Sequence, residues 1–425
     1  MRREPEAIGD DDRTISLPAR GERGLMRAIN RNLVLTLIKA REPVSRADVA
    51  RALGLSPATV TEIVKDLVSS RLVIEGAAGP SAGGRPPILL SLRHDAGFVV
   101  GVKITERRVI AALTDLDANP RARHDESFAG RSPESVVAAV ERSVRALSRA
   151  ARVPAGRLVG VGVGLAGIID GLAGVCRYSP FFKWRDVPLR DALADRLDLP
   201  IYVDNDVNTL AIAEQWFGAG RGIDHFLTVT TGRGVGLGIV LNGHLYRGAN
   251  GGAGEFGHTV IDPAGPRCAC GKRGCLEALV AEPALLREYH ARTGRTETAA
   301  GLYERARQRE RAATSVLAAA GETFGLALAN LVNVLNPSRI ILSGEGAAAG
   351  EPLLAPLRRA LQAHAFADLA RAVELVVATA GDDEWARGAA SLVLGEVYRP
   401  PVYASVGHNG PALFEVAPVA AASRR

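Results

Sequence analysis

The strongest constraint on the fold of this chain is a segment that places one histidine among three cysteines. His258 is followed by Cys268, Cys270 and Cys275. Three thiolates and one imidazole form a closed tetrahedral set for zinc, with no open position for a reactive water. The segment therefore predicts a structural zinc (Zn²⁺) that fixes a loop, rather than a catalytic metal.

Two glutamates flank the predicted metal site. Glu255 and Glu277 are not needed as ligands once the soft set is complete, because carboxylate oxygens suit harder cations. Their oxygens can instead accept hydrogen bonds from a polyhydroxylated ligand. Two interpretations stay open: a purely structural zinc loop, and a zinc loop that also carries ligand-binding carboxylates.

The remaining cysteine and the N-terminal sequence bear on the cellular compartment. Of the four cysteines, Cys176 lies outside the cluster, and we expect it to be a small core residue. Cysteines clustered at metal-ligand spacing are typical of a reducing compartment rather than a disulfide framework. The sequence shows neither a secretory signal nor an apolar run of about eighteen residues. We expect a cytoplasmic protein that makes no contact with a membrane.

The positive charge of the chain is concentrated near its N-terminus. The 425 residues carry a net charge of +6, but residues 20–93 hold twelve Lys or Arg against six Asp or Glu. A chain of this length is expected to contain more than one domain. We predict a flexible arm at residues 1–25 and a basic module at residues 26–94, followed by a nearly balanced body at residues 95–398.

Helix-start signals in the basic module predict a helix-turn-helix. Ser45 and Ser56 are N-cap residues, and Gly54 provides the turn between two short helices. The second helix of such a motif enters the major groove of DNA by its N-terminal end. Hydroxyl and methyl groups there suit phosphates and thymine methyls, and a lysine suits a phosphate. The candidate DNA contacts on the helices are Ser45, Ser56, Ala58, Thr59, Thr61 and Lys65.

A helical hairpin used only for packing would give the same signals. The segment that follows helps to distinguish such a hairpin from a DNA-binding motif. Residues 72–74 and 88–92 are apolar runs separated by a Gly- and Pro-rich stretch, which is typical of a β-hairpin. Arg85 lies in that stretch, where a narrow ribbon can carry a cation into an A·T-rich minor groove. Gly-Gly-Arg-Pro alone is usually a solvated turn. After a helix-turn-helix it predicts the wing of a winged helix, with Arg85 as a DNA contact.

Beyond the basic module the pattern changes to strands alternating with helices. We expect helices at residues 133–150, 283–335 and 383–397, and an unstructured tail at residues 399–425. The expected strands are residues 98–104, 109–113, 158–165, 201–204, 226–230, 235–241, 338–343 and 373–377. The body is therefore predicted to belong to the α/β class.

Five motifs follow one another in the body. They are GVGVGLAG at residues 160–167, DNDVN at 204–208, GRGVGLG at 232–238, GEFGH at 254–258 and CACGKRGCLE at 268–277. Behind a winged helix, this order resembles the ROK family (repressor, open reading frame, kinase), and in particular its branch of sugar-responsive repressors. The resemblance covers roughly residues 30–398. It implies an actin-like (ribonuclease H-like) domain of two lobes that enclose a sugar and, in the kinases of the family, ATP.

The same resemblance implies a sugar site. In the kinases, the aspartate that matches Asp206 is the general base that takes a proton from the attacking hydroxyl. The positions that match Asn205, Glu255, His258 and Glu277 hydrogen-bond sugar hydroxyls in the family. Residues 204–206 alone would be interpreted as a polar turn after a strand. Together with the other positions they predict a sugar-binding site, in which Asp206 is a former catalytic base.

The residues that match the phosphate loops depart from the kinase pattern. The Asp-x-Gly-Gly-Thr loop of family kinases corresponds to residues 103–107, which read Lys-Ile-Thr-Glu-Arg. The second loop, usually Gly-Thr-Gly, contains Arg233 in place of threonine. A carboxylate and a large side chain where phosphates should lie count against phosphoryl transfer.

The sequence therefore predicts a non-enzymatic repressor of a carbohydrate-utilisation operon. It should bind operator DNA as a homodimer or higher homo-oligomer and be released by a monosaccharide or a sugar derivative. Two rival interpretations stay open. One is an ATP-dependent sugar kinase with an appended DNA-binding domain, and the other is a DNA-binding module whose body serves only as a dimerisation scaffold.

Overall fold

The computed structural model describes residues 23–79, 86–154, 156–378 and 381–398. These residues form two compact units, one ending at Arg93 but including Tyr398, and the other spanning residues 94–397. The predicted wing residue Arg85, the predicted tail and most of the predicted arm lie outside the described residues. The predicted domain bounds stay predictions.

The N-terminal unit has the predicted winged-helix architecture. Ser45 caps its second helix, Ser56 caps its third, and Gly54 ends the second helix in a left-handed conformation. The strands form one antiparallel sheet in the order β1-β3-β2. The elements are α1 (Arg23–Arg41), β1 (Val44–Ser45), α2 (Arg46–Leu53), α3 (Pro57–Ser69), β2 (Val73–Ala78) and β3 (Ile88–Leu92).

The second unit contains thirteen further strands and ten further helices among the described residues. The strands of its first lobe are β4 (Phe98–Ile104), β5 (Arg108–Asp115), β6 (Pro120–Ser127), β7 (Leu158–Leu165), β8 (Ile168–Asp170), β9 (Val175–Ser179), β10 (Trp184–Val187) and β11 (Ile201–Asn205). Those of its second lobe are β12 (Phe226–Thr231), β13 (Val235–Leu241), β14 (His244–Leu245), β15 (Arg339–Ser343) and β16 (Glu374–Val377). The helices are α4 (Pro133–Ala150), α5 (Leu189–Leu197), α6 (Asp206–Phe217), α7 (Leu276–Val280), α8 (Glu282–Thr293), α9 (Ala299–Arg307), α10 (Arg311–Leu335), α11 (Glu351–His364), α12 (Leu369–Ala372) and α13 (Asp382–Val397).

Each lobe is built on a five-stranded mixed sheet. The first sheet has the order β11-β7-β4-β5-β6, and the second has the order β14-β13-β12-β15-β16. Helices α4 and α5 contribute to the core of the first lobe, and α7 to α11 to that of the second. The predicted α/β fold, a winged helix followed by a two-lobed actin-like body, is confirmed.

Several strands were missed by the sequence analysis. Strand β6 is a charged edge strand that alternates exposed and half-buried residues, so it carries no apolar run. Strands β8 to β10 form a small separate antiparallel sheet, and each is at most five residues long. Short strands of this kind give too little periodicity for a prediction.

Helix α10 is long and apolar enough, by length and composition, to cross a membrane. Its side chains instead fill the core of the second lobe, where Leu317, Phe324 and Leu328 are fully buried. The core helix of a globular domain meets the same criterion, and α10 is such a helix.

The alternating valines and glycines of β7 serve different faces of the first sheet. Val161, Val163 and Leu165 are fully buried in the core of the first lobe. The glycine face lies against α13, because a Cβ atom added to Gly162 would stand 1.8 Å from the carbonyl oxygen of Ala389. The backbone of α13 thus packs directly on the sheet, at a distance that only glycine allows.

This close approach predicts an asymmetric effect of two alanine substitutions. Gly162→Ala should destabilise the second unit by about 3 kcal/mol, because the added methyl group meets helix backbone that cannot rotate away. Gly395→Ala, within α13, has nothing within 4 Å of its added Cβ. It should be neutral or stabilise by about 0.5–1 kcal/mol. Urea unfolding followed by tryptophan fluorescence measures both, and equal effects would contradict the packing described for α13.

Candidate metal and ligand site

The predicted zinc ligands converge on one point. The ligand atoms of His258, Cys268, Cys270 and Cys275 all lie within 4.8 Å of one another. Nδ1 of His258 is 3.6 Å from Sγ of Cys268, and Sγ of Cys270 is 3.6 Å from Sγ of Cys275. Zinc bonds of about 2.3 Å to sulfur and about 2.0 Å to nitrogen place tetrahedral ligand atoms about 3.5–3.8 Å apart. The donor set therefore fits a tetrahedral zinc ion in both chemistry and spacing.

Backbone contacts hold the metal-binding loop in shape. Gly274 has a positive φ of 66°, and a Cβ atom there would lie 1.5 Å from the carbonyl oxygen of Asp262. The backbone N–H of Cys268 donates to the carbonyl oxygen of Lys272 at 2.8 Å. The Nζ of Lys272 in turn donates to the carbonyl oxygen of His258 at 2.7 Å. These bonds present the four ligands from a compact loop that ends in α7.

The predicted sugar ligand Asn205 ends β11 and also caps α6. Its Oδ1 accepts hydrogen bonds from the backbone N–H groups of Val207 at 2.8 Å and Asn208 at 3.3 Å. Its Nδ2 donates to the carbonyl oxygen of Gly167 at 3.0 Å. An amide nitrogen carries two N–H groups, so Asn205 can donate one more hydrogen bond to a ligand.

The predicted sugar ligands with carboxylate groups influence one another electrostatically. Burial raises the pKa of Asp206, although the nearby cation Lys103 opposes the effect. Burial also raises the pKa of Glu255, which His258 lowers and which the negative charges of Glu277 and Asp206 raise further. The fold therefore brings together Asp206, Glu255 and Glu277, which we call the carboxylate cluster.

The metal-binding loop supplies two members of the carboxylate cluster. His258 directs Nδ1 at the cysteines, while its Nε2 lies 4.0 Å from Oε2 of Glu255. Glu277 lies in the first turn of α7, two residues after Cys275, and its Oε2 accepts the backbone N–H of Val235 at 3.2 Å. The loop that holds the predicted metal ligands thus also carries Glu255 and Glu277, whereas Asn205 ends β11 and Asp206 begins α6.

Charged side chains occupy the positions that match the kinase phosphate loops. The Nζ of Lys103 lies 4.1 Å from the centroid of the Trp385 ring. In the turn between β4 and β5, Glu106 forms an ion pair of 3.3 Å with Arg233, which lies in the turn between β12 and β13. These positions carry an amine where the resemblance implies an aspartate in the kinases, and an ion pair where it implies glycine and threonine.

The sequence analysis missed an ion pair beside the predicted sugar site. Asp204 is 1 % exposed, and its Oδ2 accepts from Nε of Arg247 at 2.7 Å. Its Oδ1 accepts from the side chain of Asn208 at 2.8 Å. The pair joins β11 of the first lobe to the segment after β14 of the second. Removing one partner of such a pair leaves an uncompensated charge, so we regard it as a fixed link between the lobes.

The predicted DNA contacts on the helices differ in how exposed their side chains are. Ala58, Thr61 and Lys65 are exposed on α3, and Ser56 is exposed at its start. Thr59 is half-buried, and its hydroxyl lies 2.8 Å from that of Ser56.

The structure corrects one of these contacts. Ser45 is 4 % exposed, and its hydroxyl caps α2 by accepting the backbone N–H of Asp48. Its side chain is committed within the unit, and we no longer include it among the candidate contacts.

A cavity of about 840 Å³ opens elsewhere in the second lobe. It lies between α9, α10 and the start of α11, and its lining includes Arg307, Arg309 and Arg311. None of the predicted sugar ligands lines this cavity, so its size does not bear on the carboxylate cluster.

The chain matches two family models. Residues 99–396 match the ROK family, and residues 28–74 match a winged helix-turn-helix DNA-binding family. Among individual proteins, the chain is 31 % identical over 397 residues to a putative xylose repressor of Caldicellulosiruptor sp., covering 90 % of this chain and 100 % of that one.

Similar solved structures include a transcriptional regulator and a sugar kinase. A ROK family transcriptional regulator, a homologue of the Escherichia coli MLC protein, has a TM-score of 0.79 at 24 % identity and covers 88 % of this chain and 97 % of its own. A ROK family glucokinase from Streptomyces griseus, in complex with glucose and AMPPNP, has a TM-score of 0.62 at 28 % identity. The match covers 70 % of this chain and 99 % of the glucokinase. Since the family model spans most of the body and a repressor relative is matched along its whole length, this chain belongs to the ROK family, with a winged helix-turn-helix at its N-terminus.

Proposed function

We propose that this protein is a cytoplasmic, sugar-responsive transcriptional repressor of a carbohydrate-utilisation operon. One observation carries the proposal: a winged helix precedes a ROK body in which the positions that we match to the phosphate loops hold an ion pair. A relative matched along its full length is named a putative xylose repressor. Operator DNA, a sugar effector and a second copy of the chain are the proposed partners.

The proposed effector site consists of Asn205, Asp206, Glu255, His258 and Glu277. A sugar ring offers hydroxyls in several directions, and these residues approach from β11, α6 and the metal-binding loop. Ionised carboxylates are strong acceptors for such hydroxyls. In this proposal Asp206 binds a hydroxyl without transferring a phosphoryl group, and the protein is not an enzyme.

The proposed role of zinc is to orient this site. A metal-bound imidazole has one ring nitrogen fixed at the metal, so its second nitrogen faces a defined direction. In His258 that second nitrogen faces Glu255. Zinc bound by His258, Cys268, Cys270 and Cys275 would hold Glu255 and Glu277 in place for the sugar.

The proposed DNA contacts lie on α3 and on the wing. Ala58 and Thr61 present a methyl and a hydroxyl group near the start of α3, and Lys65 lies one turn further along. Thr59 and Ser56 lie at the start of the same helix. Arg85, in the wing, stays a proposed minor-groove contact.

Sugar binding without phosphorylation is the first expected outcome. Calorimetry with xylose, glucose and N-acetylglucosamine should show binding of at least one sugar. Asp206→Asn should weaken that binding by about tenfold or more, because a charged hydrogen-bond acceptor is replaced by a neutral one. Asp191→Asn, on the exposed face of α5, serves as a control and should bind as tightly as the wild type.

The same samples decide between the rival functions. With ATP and magnesium, no sugar phosphate should form above the level seen without protein. Accumulation of sugar phosphate would show that the protein is a kinase. A wild-type protein that binds none of the sugars would instead support a dimerisation scaffold.

Zinc removal is expected to abolish the sugar response. The purified protein should contain about one zinc per chain. Cys275→Ala should lose the metal and weaken sugar binding by at least about tenfold, because the loop that carries Glu277 is no longer fixed. Cys176→Ala is a matched control, since Cys176 is a buried cysteine outside the cluster. Its zinc content, measured by atomic absorption, should be unchanged. A zinc-free Cys275→Ala protein with normal sugar affinity would remove the proposed role of the metal.

A further inference from the structure

Two turns from different lobes meet through a single ion pair. Glu106 lies in the turn between β4 and β5, which the hydroxyl of Thr105 closes by accepting the backbone N–H of Arg108 at 3.0 Å. Arg233 lies in the tight turn between β12 and β13. A nitrogen of Arg233 lies 3.3 Å from Oε2 of Glu106. These are the turns whose positions match the two phosphate loops of the kinases.

Besides its ion pair with Glu106, Arg233 makes a cation–π contact with the first lobe. Its Cζ atom lies 5.8 Å from the centroid of the Phe181 ring, in the turn between β9 and β10. Glu106 is also held from its own lobe, because Arg131 lies 3.3 Å from its other oxygen. Glu106 is 26 % exposed and Arg233 is 71 % exposed. The carboxylate is therefore fixed by the first lobe, whereas the arginine can leave it.

The turn that carries Arg233 is attached to the sugar site. Glu277 accepts the backbone N–H of Val235, two residues after Arg233, at 3.2 Å. The same oxygen would lie 2.8 Å from a Cβ atom at Gly234, so the turn passes directly over the carboxylate. On its other side, the carbonyl oxygen of Gly232 accepts the backbone N–H of Glu282 at 2.8 Å. A movement of Glu277 must therefore move the turn and its arginine.

We propose that Arg233 and Glu106 form an interlobe clasp, which joins the two lobes at the position of the nucleotide phosphates in the kinases and is coupled to the sugar through Glu277. The clasp favours the lobe arrangement in which the carboxylate cluster is assembled. This inference rests on the proposed function, since it names how the sugar site is regulated.

The exposure of the two ion pairs indicates different roles for them. The Asp204–Arg247 pair has a carboxylate that is 1 % exposed and acts as a permanent link. The clasp has an exposed arginine, and exposed pairs shift an equilibrium by only about two- to fivefold. A contact of this strength shifts the equilibrium between lobe arrangements but still allows both of them. A reversible response to sugar requires this.

The test compares four variants, Glu106→Gln, Arg233→Gln, their double variant and Arg131→Gln. Sugar affinity is measured by calorimetry with the sugar among xylose, glucose and N-acetylglucosamine that the wild type binds. Arg233→Gln and Glu106→Gln should each weaken binding about two- to fivefold at low salt, and the double variant should be no weaker than the weaker of the two. The differences should shrink at high salt, because the pair is exposed.

Arg131→Gln is the matched control. Arg131 contacts the same carboxylate at the same distance, but from the same lobe. It should therefore weaken sugar affinity less than Arg233→Gln does, because the ion pair between Glu106 and Arg233 is kept. Equal losses for Arg131→Gln and Arg233→Gln, or losses that simply add in the double variant, would overturn the clasp.

A double-mutant cycle of melting temperatures, measured on the same variants without sugar, tests the clasp separately from the proposed sugar-binding function. Non-additive melting temperatures for Glu106→Gln and Arg233→Gln support the ion pair itself, and additive ones overturn it. If the wild type binds no sugar, the proposed function fails and the coupling to sugar fails with it. The melting cycle still decides whether the pair joins the lobes.

Discussion

The ligand atoms of His258, Cys268, Cys270 and Cys275 lie within 4.8 Å of one another, and the proposed functional site depends on this arrangement. The loop that carries them also carries Glu255 and Glu277, and its last ligand, Cys275, directly precedes α7. Burial raises the pKa of Glu255, and the negative charges of Glu277 and Asp206 raise it further. In our proposal, zinc bound by these ligands fixes the loop and so holds Glu255 and Glu277 close together.

The turns that match the kinase phosphate loops differ in sequence from those of the kinases of the family. Glu106 and Arg233 form an ion pair at positions where the resemblance implies glycine and threonine in the kinases, and Lys103 lies where it implies an aspartate. These charged side chains are the reason why we propose that the body binds a sugar without a nucleotide. In this proposal the winged helix carries the response to DNA.

Much of this could be predicted from the sequence, for physical reasons that differ between elements. The cluster of His258, Cys268, Cys270 and Cys275 was predictable because metal coordination requires a fixed set of donors at short spacing. Ser45 and Ser56 were predictable as caps because a serine before a helix satisfies its first amide groups. The same local reasoning went wrong for Ser45 as a DNA contact, since burial is a tertiary property. The resemblance to the ROK family, based on five motifs in order, is confirmed by the family model.

The parts that could not be predicted depend on residues far apart in the chain. Arg247 and Asp204 are separated by 43 positions, and Arg233 and Glu106 by 127. Neither pair leaves a periodic signal, so a single sequence contains no trace of them. The cation–π contact between Lys103 and Trp385 is hidden in the same way. Interlobe contacts of this kind emerge only when the two sheets and their turns are placed in space.

The most direct test of the account is a mobility-shift titration on the DNA upstream of the protein's own gene. At fixed salt, the wild type should bind this DNA, and one sugar from a panel of monosaccharides and sugar phosphates should release it. Ala58→Asp, which places a carboxylate at the start of α3, should bind at least about tenfold more weakly, because phosphates repel it. Binding that no sugar alters, or an Ala58→Asp variant that binds as tightly as the wild type, would contradict a sugar-responsive repressor that reads DNA with α3.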